Sequence, residues 1–231
     1  MALFYQPGIP DGIYHLDPDE SRHAVKVLRL KEGDRLTVTD GNGVLYEAEI
    51  LRADFPKCTF RILNSLVQPA KKFHRHIAIA PTKNADRIEW FVEIAVELGI
   101  DQISFMLCRN SERKTLNGER IEKIAASAMK QSQQAWLPTL TALHPFQDIL
   151  KSSSDQKFIA FVDPENPHQL KSLARPGGHY LVLIGPEGDF TPEELQQAEK
   201  SGFQKVSLGS TRLRTETAGL AACHILNLIN A

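Results

Sequence analysis

Cysteine is scarce in this chain. Cys58, Cys108 and Cys223 are odd in number and far apart, so neither a disulfide framework nor a zinc knuckle can be built from them. That usage suits a reducing compartment, and a cytoplasmic location is expected. Net charge is also nearly absent, at −1, so no global field draws the protein to nucleic acid or to a membrane. Any RNA binding would need a local basic patch. No apolar run approaches the length of a membrane span, and no membrane partner is expected. The opening Met1-Ala2-Leu3-Phe4-Tyr5-Gln6-Pro7 has no basic start and no long apolar stretch, so a signal peptide is not expected. There is no Gly-x-Ser-x-Gly, no phosphate-loop Lys-Ser/Thr and no Gly-x-Gly-x-x-Gly, which argues against a serine hydrolase, a nucleoside triphosphate and a dinucleotide. His74 and His76 are spaced to share one side of a strand, but no third ligand lies near, so no metal is expected. His224 falls inside the last helical pattern and reads as a packed or surface side chain.

What is present is ordinary globular material in two textures. Residues 1 to about 70 read as β-rich. Leu36–Asp40 and Val44–Ile50 alternate around Gly41-Asn42-Gly43, a strong hairpin signal, and Thr59–Leu63 continues the sheet. Ser21–Leu30 reads as one short helix. Small, turn-rich and mostly strand, this part is expected to be a compact barrel. It holds Arg22, His23, Lys26, Arg29 and Lys31 close together. Spacing alone favours a solvated helix face, with a phosphate-contacting patch as the functional alternative.

Gln68-Pro69-Ala70-Lys71-Lys72 breaks the pattern and sets the expected domain boundary, giving units 1–70 and 71–231. Beyond it, strands and helices alternate. Strands are expected at His76–Ala80, Gln102–Leu107, Phe158–Val162, Tyr180–Ile184 and Lys205–Leu208, with a short one after Pro138. Helices are expected at Ala85–Leu98 (stopped by Gly99), Glu119–Gln134, Phe146–Leu150 and Thr215 to about Ile229. Such alternation predicts an α/β domain with a mainly parallel sheet covered on both faces.

In such sheets ligands bind beyond the carboxyl ends of the strands. Three turns share that address: Asp163–Asn166, Gly185–Asp189 and Gly209–Leu213. Thr191-Pro192-Glu193-Glu194 is a capping box with proline in the first helical position. It accounts for the helix start but not for Gly185-Pro186-Glu187-Gly188 before it. The second turn leads straight into the last helix, with Thr215 expected as its cap.

Gly185-Pro186-Glu187-Gly188, then Leu208-Gly209 and Leu213-Arg214-Thr215-Glu216-Thr217-Ala218, closely resemble the C-terminal signature of the RsmE family. These are methyltransferases acting on N3 of a uridine in 16S ribosomal RNA of the small subunit. His23–Arg29 with Gly33-Asp34 and Asp40–Gly43 is similar to the family's PUA-like RNA-binding barrel. Glu97–Ile100, Gln131-Ser132 and Pro138 resemble its central motifs. The resemblance implies a SPOUT-type α/β domain with a C-terminal trefoil knot, S-adenosylmethionine as cofactor and a homodimer. Carried over by position, the cofactor turns are Ile184, Gly185, Pro186, Glu187 and Gly188, then Leu208, Gly209, Ser210 and Leu213, with the turn after Val162 as a third wall.

The chain departs from the family pattern in places. Asp189 stands where a glycine is usual, Thr211-Arg212 where Arg-Ile is usual, and Gln134 near an expected arginine. Methylating uracil N3 requires losing its proton and stabilising charge on O2 and O4. On the resemblance, Arg214 is expected to stabilise that charge, with Glu187 or Glu216 as proton acceptor. Glu216 has an equal claim as a first-turn complement to the helix dipole. Lys83, Arg109, Arg113 and Lys114 follow strand ends and are expected at RNA phosphates, with Arg22, His23, Lys26 and Arg29. Two other readings compete: a non-catalytic RNA-binding or ribosome-assembly factor, and a SPOUT enzyme methylating a tRNA ribose 2′-oxygen.

Overall fold

The structure, a computed structural model, describes residues 2–163 and 168–231. The chain divides into two units: residues up to Ala70 with Ala126–Leu137, and Lys71–Ala125 with Pro138–Ala231.

In the first unit, β1 (Leu3–Tyr5), α1 (Pro18–Arg22), β2 (Arg35–Thr39), β3 (Val44–Arg52) and β4 (Thr59–Val67) follow in order. The strands form one sheet, β1-β2-β3-β4, with β1 parallel to β2 and the other pairs antiparallel. Period-two alternation sends Leu36, Val38, Ala48, Ile50 and Phe60 inward onto Phe4 and Leu16. Asp40 holds the hairpin turn, its Oδ1 accepting from the Asn42 N–H at 2.8 Å. The helix expected at Ser21–Leu30 is corrected: Asp17 caps α1 earlier, accepting from the Glu20 N–H at 2.8 Å with Pro18 in the first turn. A wider π-helical turn, His23–Val27, then follows, and Arg29 in the left-handed region ends it. The sequence does not announce that Ala126–Leu137 joins this unit. There the Ala135 carbonyl accepts from the Gly43 N–H at 2.9 Å, and Lys130 pairs with Glu20.

The second unit runs β5 (Phe73–Ile79), α2 (Ala85–Glu97), β6 (Gln102–Leu107), α3 (Gly118–Gln131), β7 (Thr139–Pro145), α4 (Phe146–Ile149), β8 (Gln156–Ala160), α5 (Leu170–Leu173), β9 (Gly178–Ile184), α6 (Pro192–Lys200), β10 (Gln204–Val206) and α7 (Thr215–Ile229). Of α3, residues from Ala126 onward count with the first unit. Six strands form a wholly parallel sheet in the order β10-β8-β9-β5-β6-β7. The central strands are unbroken apolar runs, Ile77–Ala80 and Leu181–Ile184, because both of their faces are covered. One face packs Ala78, Leu181 and Leu183 with Phe146, Leu195 and Phe203. On the other, α7 lies against α2, β5 and β9. Two expected strands end early, at Ala160 and Val206, which leaves Val162 and Leu208 in the turns beyond the sheet.

Candidate functional site

β9 delivers Gly185-Pro186-Glu187-Gly188-Asp189 at its carboxyl end. Thr191 and Glu194 close a reciprocal capping box on α6, and Glu194 Oε1 also accepts from the Arg109 N–H at 2.8 Å. The loop before the cap is fixed by other bonds. The Asp189 N–H donates to the Pro186 carbonyl at 2.9 Å, and the Asn110 side-chain amide donates to the Gly188 and Asp189 carbonyls, each at 3.1 Å. Asp189 sits at φ 59°, in the left-handed region that glycine adopts without strain and aspartate tolerates. Its Oδ1 accepts from the Phe190 N–H at 2.9 Å. Burial pushes the Asp189 carboxyl upward, opposed by that bond and by the charge of Arg212.

Glu187 is held from a distant loop. The Lys83 N–H donates to Glu187 Oε1 at 2.9 Å. Arg113 fixes that loop in turn, donating from Nε to the Thr82 carbonyl at 2.9 Å and from Nη2 to the Lys83 carbonyl at 2.7 Å. The second oxygen, Glu187 Oε2, is buried and has no partner among the described residues. A buried carboxylate oxygen left open in this way is costly unless something donates to it.

The turn after β10 is built on Gly209, at φ 152°. Ser207 Oγ donates to the Gly209 carbonyl at 2.7 Å and accepts from the Gly209 N–H at 3.2 Å, closing a tight loop. Any side chain at Gly209 would be strained whatever room it had. α7 then starts with Arg214, not Thr215, as the capping residue. Arg214 is extended (φ −71°, ψ 157°) and Thr215 is already helical, so the hydroxyl expected to cap is one position late. Arg214 makes no side-chain cap bond, so among the described residues the first N–H groups of α7 are available to a ligand.

Together these turns and the ends of β8, β9 and β10 enclose a cavity of about 670 Å³. Among the positions expected from sequence, Val162, Ile184, Gly185, Pro186, Glu187, Leu208, Gly209, Ser210, Leu213 and Arg214 line it. Gly188 and Glu216 do not. Glu216 is buried, with Oε1 3.8 Å from Arg87 Nε and Oε2 unpartnered. Arg87, on α2, does line the cavity and went unnoticed in the sequence, since no local spacing relates it to turns a hundred residues away. Asp189, Thr211 and Arg212, which the sequence places in these turns as departures from the family pattern, line it too. Of the third expected turn, Asp163 lines the cavity, while Pro164–Asn166 lie outside the described residues.

The residues present fit an adenosyl cofactor. The volume falls within the roughly 300–1,000 Å³ of small-molecule sites. Ile184, Leu208, Leu213 and Val206 provide apolar wall, the uncapped helix end provides donors, and Glu187 Oε2 provides an acceptor. Of the basic residues, Arg22, Lys26, Arg29, Arg109 and Lys114 are exposed, and so is His23, whose ring packs edge-on to Phe4. Lys83 Nζ is 2.8 Å from Glu112 on the surface. Among the described residues no group of three His, Cys, Asp or Glu side chains is placed to hold a metal ion. His74 stacks on His179, and His76 Nε2 lies 2.7 Å from Ser104 Oγ.

Known proteins resemble the chain over its length. Residues 69–227 match the family model of an RNA methyltransferase domain, and residues 16–63 match that of an RNA methyltransferase PUA domain. Ribosomal RNA small subunit methyltransferase E of Rickettsia conorii is 30% identical over 220 residues, covering 94% of this chain and 90% of the relative. A crystal structure from Porphyromonas gingivalis, described as a probable rRNA-methyltransferase, is 40% identical with a TM-score of 0.93, covering 100% of this chain and 98% of that one. Ribosomal RNA small subunit methyltransferase E of Neisseria gonorrhoeae, solved bound to S-adenosyl methionine, is 26% identical with a TM-score of 0.88 and the same coverage.

Proposed function

The chain belongs to the RNA methyltransferase family, and from that premise we propose a base-methylating activity on small-subunit ribosomal RNA. It is an S-adenosylmethionine-dependent enzyme, and its target atom is N3 of a uridine in 16S RNA. The target atom rests on the family signature at Gly185–Gly188 and Leu213–Ala218. The observation that carries the reading is the cavity itself. Two signature turns from successive regions of sequence, after β9 and β10, meet there with Arg214 at the wall and an unpartnered carboxylate oxygen on Glu187.

When bound, S-adenosylmethionine supplies an electrophilic methyl group for in-line transfer. The chain's own work is to hold, exclude water and manage charge. Gly209 and Ser207 set the turn that receives the cofactor, and Ile184, Leu208 and Leu213 make its apolar slot. Arg214, exposed at the start of α7, stabilises charge developing on the uracil oxygens as N3 gives up its proton. Glu187 is the better placed acceptor of that proton, because it lines the cavity and Glu216 does not. Glu216 instead steadies Arg87 and complements the N-terminal dipole of α7. Exposed Arg22, Lys26, Arg29, Arg109 and Lys114 hold RNA phosphates, and His23 adds a contact.

The proposal includes a homodimer, a cytoplasmic site of action and a C-terminal knot. For the knot, the support is the path of the chain. It leaves β10 at the sheet edge, turns through Ser207–Arg214 and lays α7 against α2, β5 and β9. No described helix is long and apolar enough to cross a membrane.

Calorimetric titration with S-adenosylmethionine, coupled to single-turnover kinetics, tests the reading. Wild-type protein should bind, and Gly209→Val should lose binding because its turn needs φ 152°. Arg214→Ala should bind within about twofold of wild type yet react about 100-fold more slowly, as for loss of one charge-stabilising donor. Undiminished binding by Gly209→Val would move the cofactor elsewhere. Equal loss of affinity and rate in Arg214→Ala would remove its catalytic role.

A further inference from the structure

Asp189 and Arg212 line the same cavity from different turns, Asp189 after β9 and Arg212 after β10. They are opposite charges close enough to feel one another, yet no ion pair within 4.0 Å joins them. Asp189 Oδ1 is taken by the Phe190 N–H, and its other oxygen has no partner among the described residues. The Arg212 guanidinium makes no hydrogen bond or ion pair among the described residues either. The backbone of Asp189 is pinned by Asn110 and Pro186 in a conformation that would suit glycine better, so its side chain is not there to relieve strain.

Two opposite charges that line one cavity without pairing with each other are complementary to a ligand that carries both charges close together. We propose that Asp189 and Arg212 grip the amino-acid end of the cofactor, the carboxylate receiving the α-ammonium and the guanidinium receiving the α-carboxylate. This rests on the cofactor reading above and adds to it which walls face the zwitterion. It also gives two of the residues that depart from the family signature, Asp189 and Arg212, one joint role. The partly buried position of Asp189 strengthens its bond to an ammonium, since fewer waters compete there.

The test compares S-adenosylhomocysteine with 5′-methylthioadenosine, which share adenosine and an uncharged thioether and differ in the amino-acid end. Each is titrated calorimetrically into wild type, Asp189→Asn and Arg212→Gln. Asparagine keeps the Phe190 bond and tolerates the left-handed backbone, so Asp189→Asn should fold. Each variant should lose about tenfold in affinity for S-adenosylhomocysteine and less than about twofold for methylthioadenosine. Unchanged affinities, or equal losses for both ligands, would overturn the grip. So would an Arg212→Gln protein that weakens only for ribosomal RNA, which would give that arginine to a phosphate. If wild type binds neither ligand, the cofactor reading fails and takes the grip with it.

Discussion

His76 lies in the middle of β5, 5% exposed, with its Nε2 2.7 Å from Ser104 Oγ. Burial, helped by the charge of His74, lowers its pKa from 6.5 to about 4. The folded state therefore refuses a proton that the unfolded state accepts. Above pH 6.5 this histidine costs nothing, and stability falls as pH drops from 6.5 toward 4. The full loss is about 3 kcal/mol. Thermal melts across that window should slope less steeply for His76→Gln than for wild type, and identical slopes would contradict the assignment. The sequence shows this histidine but not its burial. Asp189 is similar: its departure from glycine is visible in the letters, while its φ of 59° and its place on a cavity wall are not.

At the scale of elements, α2 and α7 cross where Gly219 faces Phe91. A Cβ on Gly219 would stand 2.5 Å from Phe91 Cε2 and 3.1 Å from Ile79 Cδ1. Alanine is the better helix former by about 1 kcal/mol, but the overlap with a fully buried ring outweighs that gain. Gly219→Ala should melt several degrees lower, a net loss of about 1–2 kcal/mol. A melting temperature at or above wild type would show that the two helices do not pack this closely. Helices and strands were largely legible here, because periodicity reports which face is buried: Gln102–Leu107 and Phe146 onward appear where spacing places them. Ends were less legible. The start of α7 just after Arg214, and that of α1 at Pro18, depend on single backbone angles and hydrogen bonds that no apolar pattern encodes.

At the scale of the whole chain, alternation announces a parallel sheet but not its order, β10-β8-β9-β5-β6-β7. That order brings the turns after β8, β9 and β10 around one cavity, and the signature residues mark two of its walls. Arg87 comes from α2 and Glu187 is held through Arg113 and Lys83, contributions that only three-dimensional packing brings together. The grouping of Ala126–Leu137 with the N-terminal unit is likewise a matter of long-range contacts. The central claim is that this assembly methylates uridine N3 in small-subunit RNA. Its most direct test uses small ribosomal subunits from cells lacking the endogenous activity, incubated with the protein and methyl-labelled S-adenosylmethionine. The RNA is then digested and its nucleosides resolved by mass spectrometry. The account predicts label in 3-methyluridine, appearing about 100-fold more slowly with Arg214→Ala. Label in a 2′-O-methylated nucleoside, or none from protein shown to bind the cofactor, would contradict it.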